Sequence, residues 1–476
     1  MALKGTTVIE LTNVKTGEVE KYEDENMVTN ALNRFFTPIG YLKGFGELGS
    51  YDPIVHTHMG GMILFDSKLD EIADNIFPPA SVLPVGYAGD NYVNDTTDVA
   101  VGSSNLTERE YNTYSGYMKF VYDFTTSQAN GKINAIALTH KTIGTYAGFG
   151  SDTHTQSYSE ARWLCSSYGS YILPFSYSAR YHYDGVTVGE YEHPFLVDVD
   201  NDIVYSFSVI STTQIRITRR IGNIRSINVV LSHRSTKTLI DTADITLTSG
   251  ISTSYMAWNY DHDDACLYIF GSSASTKASG TAISVVKVSI PDLTVTQYSV
   301  TNSTGTTIYT SGGRFAFGHQ GHVFVVNSSS SKTVYKIELA DSSNCTEMSG
   351  SLFQPGSLPV MANKGWIYYE YPYDNSNSYA YLSIVNSSAN KVITPTVNGI
   401  FGRGRVARTR DIIPIKGDPM HWIAVHYTST GTGNQQYYEG YLLARRNYIA
   451  TINNLSRTIE KTSDKTMKIT YTIQEV

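Results

Sequence analysis

Charge is scarce in this chain of 476 residues: only 17% of them are Asp, Glu, Lys or Arg, against roughly a quarter in ordinary soluble domains. Cysteine is limited to three positions, Cys165, Cys266 and Cys345. Lying about 80–100 residues apart, they form neither a CxxC metal pattern nor an even disulfide set, and buried free thiols are expected. No run of ~18 apolar residues occurs, and the opening "MALKGTTVIELTNVKTGEVEKYED" lacks the apolar stretch of a signal peptide. Synthesis in a cytoplasm, with no membrane insertion, is the expectation. The net charge of −7 lacks the broad positive field of a general nucleic-acid binder. Also absent are a G-x-S-x-G elbow, a zincin helix and a phosphate loop, so neither catalysis nor a cofactor is expected.

Glycine, serine, threonine and tyrosine fill the space that charge leaves. Tyrosine outnumbers phenylalanine 36 to 17, and its ring suits a pleated face while its hydroxyl reaches water or a partner. An all-β protein of two or three domains follows from this balance and from the length. "TTVIELTN" and "EVEKYEDENMV" flank "VKTGE" as a hairpin whose glycine supplies positive φ. In "TNALNRFFTPIG", Thr29 or Asn30 caps a short helix that carries Ala31, Leu32, Phe35 and Phe36. "GGMILFDSKL" reads as a strand and "DNIFPPASVLPVGYAGD" as an extended crossing. "YMKFVYDFTTSQANGKINAIALTH" reads as a hairpin hinged at Asn130 and Gly131, and "TIEKTSDKTMKITYTIQ" as another, with Met467, Ile469, Tyr471 and Ile473 on one face.

Between residues 160 and 440 an apolar run, a polar turn and an aromatic-rich strand recur. The turns fall at Asp202, Asp264, Gly321, Gly365 and Gly417, spaced by roughly 44–62 residues. Repeats of this kind, with about four strands each, are the mark of β-propeller blades; five or six are expected, with a β-sandwich array or β-helix as alternatives. In "GWIYYEYPYD" both faces of a blade strand are packing faces as far as Tyr369. Pro372 is expected to end the pairing and expose Tyr371 and Tyr373.

The phrases "VKTGEVEKYEDENMVTNAL", "KFVYDFTTSQANGKINAIALTH" and "NYIATINNLSRTIEKTSDKTMKITYTIQ" resemble structural tail and tail-fibre proteins of bacteriophages of Gram-positive bacteria. The resemblance covers residues 1–150 and 440–476 and carries no catalytic signature. It implies a virion protein with a β-sandwich-like attachment domain over 1–155, completed by 441–476, and a propeller-like module inserted at 160–440. Implied partners are other tail or baseplate proteins, further copies of the chain and host cell-wall polysaccharide. A purely architectural baseplate or decoration subunit and a polysaccharide-degrading tail enzyme are the alternatives.

Candidate binding residues follow from chemistry, since sugar C–H faces stack on aromatic rings. Tyr371, Tyr373, Trp422, Tyr437 and Tyr438 are the candidates, with Asp374 and Asn375 as hydrogen-bonding neighbours and inter-blade packing as the competing role. "FGRGRVARTR" places Arg403, Arg405, Arg408 and Arg410 together, a patch fit for an anionic polymer, a neighbouring subunit or solvent. Arg216, Arg219, Arg220 and Arg225 form a second basic strip. His56 and His58 share one face of an extended segment, and Asp198, Asp200 and Asp202 echo a calcium loop. The latter lacks the EF-hand glycine and glutamate. Polar loops and hairpin turns explain both groups, as they do Asp261, His262, Asp263 and Asp264, and no metal is expected.

Overall fold

The computed structural model describes residues 3–34, 59–76, 84–89, 99–112, 116–139, 193–221, 239–290, 292–310, 315–327, 332–352, 358–372, 380–393, 412–428, 437–445 and 448–475. Nearly all regular structure is β, and among these residues no helix is long and apolar enough to cross a membrane. Two compact units divide the chain. One comprises Met1–Asp152, Val397–Gly402 and Arg446–Val476; the other comprises Thr153–Thr396 and Arg403–Arg445.

In the first unit the chain forms β1 (Leu3–Asn13), β2 (Val19–Val28), α1 (Asn30–Arg34), β3 (Gly61–Phe65), β4 (Pro84–Gly89), β5 (Val101–Ser104), β6 (Glu110–Asn112), β7 (Tyr117–Phe124) and β8 (Gly131–Thr139). It returns after the second unit as β30 (Thr451–Lys461) and β31 (Lys465–Glu475). β1 and β2 pair as a hairpin over Gly17, whose φ of 72° is the left-handed turn conformation. β1 then pairs with β31 along its whole length, from Leu3 opposite Glu475 to Asn13 opposite Lys465. The strand order β31-β1-β2-β30-β8-β3-β4-β5-β7 closes where β7 pairs with β31, giving a nine-stranded barrel in which short β6 pairs with β7 along the same edge as β5.

This closed sheet stands where a sandwich was expected. β7 hydrogen-bonds to β31 on one side and to β5 and β6 on the other, so the sheet curls onto itself instead of stacking on a second one. Neither of the two further hairpins forms. β7 does not pair with its chain neighbour β8, which lies between β3 and β30, and β31 is separated from β30 by the β1–β2 hairpin. The connections are short enough for hairpins. Gln128, closed onto Thr125, and the Ala129 N–H, bonded to Val99 O at 2.7 Å, instead turn the chain into the ring.

Alternation explains the lumen. Ile9, Leu11, Met467, Ile469, Tyr471, Ile473, Phe120, Tyr122 and Phe124 are all buried, while Glu10 and Lys468 between them reach solvent. β3 reads "GMILF" because both its faces are covered: Ile63 and Phe65 join Tyr87, Val101, Ala135, Ala137, Ile449 and Ile452 in a second apolar layer. Gly102 lets the Phe124 ring close on the strand, since a Cβ there would stand 2.5 Å from it. The expected helix is present as α1 over Asn30–Arg34, and Phe35 and Phe36 lie outside the described residues. Buried Thr29 starts it, accepting the Ala31 N–H at 3.3 Å and donating to Ile449 O at 2.5 Å.

The second unit is a series of antiparallel meanders. They are β9 (His193–Asp198), β10 (Ile203–Ser211), β11 (Gln214–Ile221) and β12 (Leu239–Thr246); then β13 (Tyr255–Asp261), β14 (Cys266–Ser272), β16 (Ala282–Ser289) and β17 (Val295–Thr301), with a small pair β15 (Thr276–Lys277) and β18 (Ile308–Tyr309). The third is β19 (Ala316–His319), β20 (His322–Val326), β21 (Val334–Glu338) and β22 (Cys345–Glu347). The fourth is β23 (Leu358–Asn363), β24 (Trp366–Pro372), β25 (Ala380–Asn386) and β26 (Lys391–Ile393). Last come β27 (Ile412–Ile415), β28 (Asp418–Thr428) and β29 (Tyr437–Arg445), joined to the first meander by a parallel contact of Ile415 with Val197.

Successive meanders bury their faces on one another. Phe207, Ile215 and Ile217 of the first meet Met256, Leu267, Ile269 and Val286 of the second. The opposite face of the second, with Tyr268, Phe270 and Val285, meets Ala316, Val323, Val325 and Ile337 of the third. Phe317, Phe324 and Val326 then meet Ile367, Tyr369 and Val385 of the fourth. A sheet covered on both faces cannot alternate polar and apolar residues, which is why "CLYIFGS" is buried throughout.

Candidate functional site

Five hairpins lead the five meanders, and Asp198, Asp261, His319 and Asp418 are buried polar residues at the edges of their turns. Each turn has a residue in the left-handed region: Asp202 (φ 58°), Ala265 (51°), Gln320 and Gly321 (47° and 74°), Lys364 and Gly365 (48° and 82°), and Gly417 (68°). Two-residue turns with both centres left-handed match the twist of the flanking strands. These are the five turn positions of the sequence repeat.

Three of the turns are bolted together through His319. Its Nε2 accepts the Gly365 N–H at 3.1 Å, which places the ring proton on Nδ1, where it donates to Asp261 Oδ1 at 2.9 Å. The His319 and Asp261 side chains are both fully buried. Burial raises the Asp261 carboxyl above its ordinary range, and the bond from His319 offsets this only in part. An Asp–His pair with a free Nε2 would resemble half of a catalytic triad. Here that nitrogen is occupied by backbone, and the arrangement is a strut between the second, third and fourth meanders. Gln320 Nε2 adds a bond to Asp263 at 3.0 Å, and Asn259 exchanges two bonds with the backbone of Gly318.

The other aspartates act similarly. Asp198 accepts the Asn201 N–H at 3.0 Å, Asn201 Nδ2 at 2.9 Å and Lys416 Nζ at 2.7 Å, which joins the first and last turns. Burial opposes its ionisation, but these three donors outweigh burial and hold its carboxyl below the usual range. Asp264 is likewise partly buried, and the Tyr268 hydroxyl and Lys287, 3.3 Å away, lower it. Thus "DVDNDI" and "DHDDA" are hairpin turns in this structure. Among the described residues no group of three or more His, Cys, Asp or Glu is disposed to hold a metal ion.

Of the aromatic candidates, Tyr371 lies on β24 opposite Tyr381, and the strand continues through Pro372, opposite Ala380, where pairing was expected to stop. Pro372 is the last described residue of β24, and among the described residues β23 pairs no further than Glu370. Tyr369 is buried between the third and fourth meanders, a packing residue as read. Tyr437 and Tyr438 are neighbours on β29, opposite Thr428 and Tyr427. Trp422 pairs with Ala444 toward the other end of the same strand, roughly 20 Å away at strand rise. Tyr437 and Tyr438 are thus consecutive on one strand, and Trp422, opposite Ala444, stands far from both along it. Tyr373, Asp374, Asn375, the arginines Arg403, Arg405, Arg408 and Arg410, and His56, His58, Arg225 and Cys165 lie outside the described residues.

The second basic strip is largely spent on intramolecular pairs. Arg216 grips Asp244 through Nε at 2.6 Å and a second nitrogen at 2.8 Å, and Arg219 pairs with Asp241 in the same way, both across β11 and β12. Cys266 is a buried free thiol that burial pushes up to about 11, whereas Cys345, also free, is partly exposed because it sits on the outer strand β22. His319 and Lys416 escaped the sequence reading. The signal for His319 was positional, since it closes its turn where Asp198 and Asp261 close theirs, whereas Lys416 lies one residue further on, inside its turn.

No family model matches the chain, and no curated protein matches it. Among solved structures it is similar to hydrazine synthase of Kuenenia stuttgartiensis, at 12% identity over 61% of this chain and 68% of that one, with a TM-score of 0.27. TolB of Acinetobacter baumannii is similar at 10% identity over 78% of each chain, with a TM-score of 0.24. The chain spans less than half the length of puromycin hydrolase (46%), which it matches at 9% identity over 74% of its own length and a TM-score of 0.24. Likenesses at this level carry no argument about what the chain does.

Proposed function

We propose that this protein is a structural component of a bacteriophage tail or adsorption apparatus, made in the host cytoplasm and working in the virion. In this reading the barrel mounts the chain on neighbouring tail or baseplate proteins, and the second unit meets host-surface glycan. The observation that carries it is the pairing of β1 with β31: both chain ends are sealed into one barrel, so the second unit is an insertion whose size and surface can vary without disturbing the mount. Support for a propeller-like ring in that insertion comes from the double-faced stacking of successive meanders and from the parallel contact between the first and last. Tyr437 and Tyr438 on the outer strand β29 suit sugar stacking, and Tyr371, Tyr373, Asp374 and Trp422 remain candidates with them. The patch of Arg403, Arg405, Arg408 and Arg410 suits teichoic-acid phosphates or an acidic neighbouring subunit.

Mass spectrometry of purified particles of the phage that encodes the chain tests the first half, and its absence from them would sink the reading. Binding of the labelled full-length chain to isolated Gram-positive cell walls tests the second. A Tyr437→Ala/Tyr438→Ala variant is expected to bind at least tenfold more weakly. Presence in particles without wall binding identifies an architectural subunit instead, and release of reducing sugar from the walls identifies an enzyme.

A further inference from the structure

Among the described residues, one strand of the barrel has backbone groups that no ladder uses along most of its length. Among these residues β2 pairs with β30 only where Met27 meets Ile452 and Val28 meets Thr451, and no ladder joins Val19–Asn26 to another strand on the side away from β1. The Asn13 N–H bonds to Glu18 O, so Glu20, Tyr22, Asp24 and Asn26 use their backbone groups on β1, and those of Val19, Lys21, Glu23 and Glu25 point away from it. β30 covers the inner face of β2 rather than its edge: Ser456 N donates to Asp24 at 3.1 Å, and the Arg457 guanidinium lies 4.1 Å from the centre of the Tyr22 ring. The side chains of Val19, Lys21, Glu23 and Glu25 are all exposed, Val19 to 55%. An open edge of this kind recruits another strand unless something prevents it.

The geometry points to a second copy of this chain as the occupant, with the two β2 edges pairing antiparallel about a twofold axis at Tyr22. Only this register uses all four free backbone positions. It sets Lys21 of each copy opposite Glu23 of the other, and Val19 opposite Glu25, so opposite charges meet twice on the outer face and no like pair is directly opposed there. On the inner face Glu20 would stand opposite Asp24 of the second copy. Each is already compensated within its own chain, Glu20 by Lys465 and Asp24 by the Ser456 N–H, with Arg457 beside them. The inference does not rest on the proposed function.

An edge of seven residues is smaller than a standard stable interface, so a concentration-dependent monomer–dimer equilibrium in the micromolar range is expected. Sedimentation equilibrium on the full chain is the test, with circular dichroism confirming that each variant is folded. Lys21→Glu is expected to weaken association at least tenfold by placing two like pairs across the axis. Adding Glu23→Lys is expected to restore it, because the exchanged charges again oppose each other. Glu23→Pro removes an outward N–H that β1 does not use and is expected to leave the monomer alone. A wild-type chain that stays monomeric overturns the proposal and makes the charged edge a guard against pairing. So does an assembly unmoved by Lys21→Glu and Glu23→Pro, or a failure of the double exchange to rescue.

Discussion

Single side chains decide how closely strands approach. Gly318 on β19 faces the Tyr268 ring of the neighbouring meander, and a Cβ there would stand 2.3 Å from its nearest atom. Gly318→Ala is expected to cost roughly 1–3 kcal/mol by overpacking, measured as a lower denaturation midpoint of the second unit. Lys461 is the converse case, a buried amine in the barrel whose Nζ donates to Asn130 Oδ1 at 2.9 Å and to no carboxylate among the described residues. Burial lowers its pKa to about 8, while in the unfolded chain it ionises near 10.4. The folded state therefore favours the neutral amine. Its contribution to stability is fully present above about pH 10.4 and is lost as pH falls through 8. Lys461→Met is expected to be more stable than wild type in urea at pH 7, with the difference shrinking toward pH 10; a constant difference would contradict the assignment.

At the scale of the element, the repeated hairpin turn carries the load between meanders. Asp198 closes the β9–β10 turn and reaches Lys416 before β28, so Asp198→Ala removes three bonds and is expected to cost roughly 1–3 kcal/mol. Because its folded pKa is lowered, this stabilisation is present above the unfolded value near 3.9 and lost as pH falls through the folded one. Wild type and variant should converge in thermal melts below about pH 4. The turns were legible in the sequence because glycine, or Asp202 in the first, supplies the left-handed φ that such hairpins need, and the run of aspartates before Ala265 marks the second. The two supposed hairpins β7–β8 and β30–β31 were not. Alternation reveals a strand and its inward face, as with Met467, Ile469, Tyr471 and Ile473, but a short link says nothing about which edge finds which partner.

For the whole molecule, the barrel depends on its last strand. β31 is paired on both sides, with β1 and with β7, and its four inward side chains sit in the lumen. Deleting residues 465–476 is expected to remove the calorimetric transition of the first unit while the second, which has its own cores, keeps one. A single unchanged transition in the truncated chain would show that the units do not fold separately.

Local physics is what the sequence determined by itself: low charge and abundant tyrosine for an all-β chain, period-two patterns for strands, and glycine or aspartate at the five turns. These depend on neighbours along the chain. Tertiary structure alone decided that the terminal strands seal one closed barrel and that His319 couples Asp261 to Gly365. Each of these joins groups far apart in sequence, where backbone hydrogen bonding is indifferent to side-chain identity and only the packing of the complete fold selects the partner.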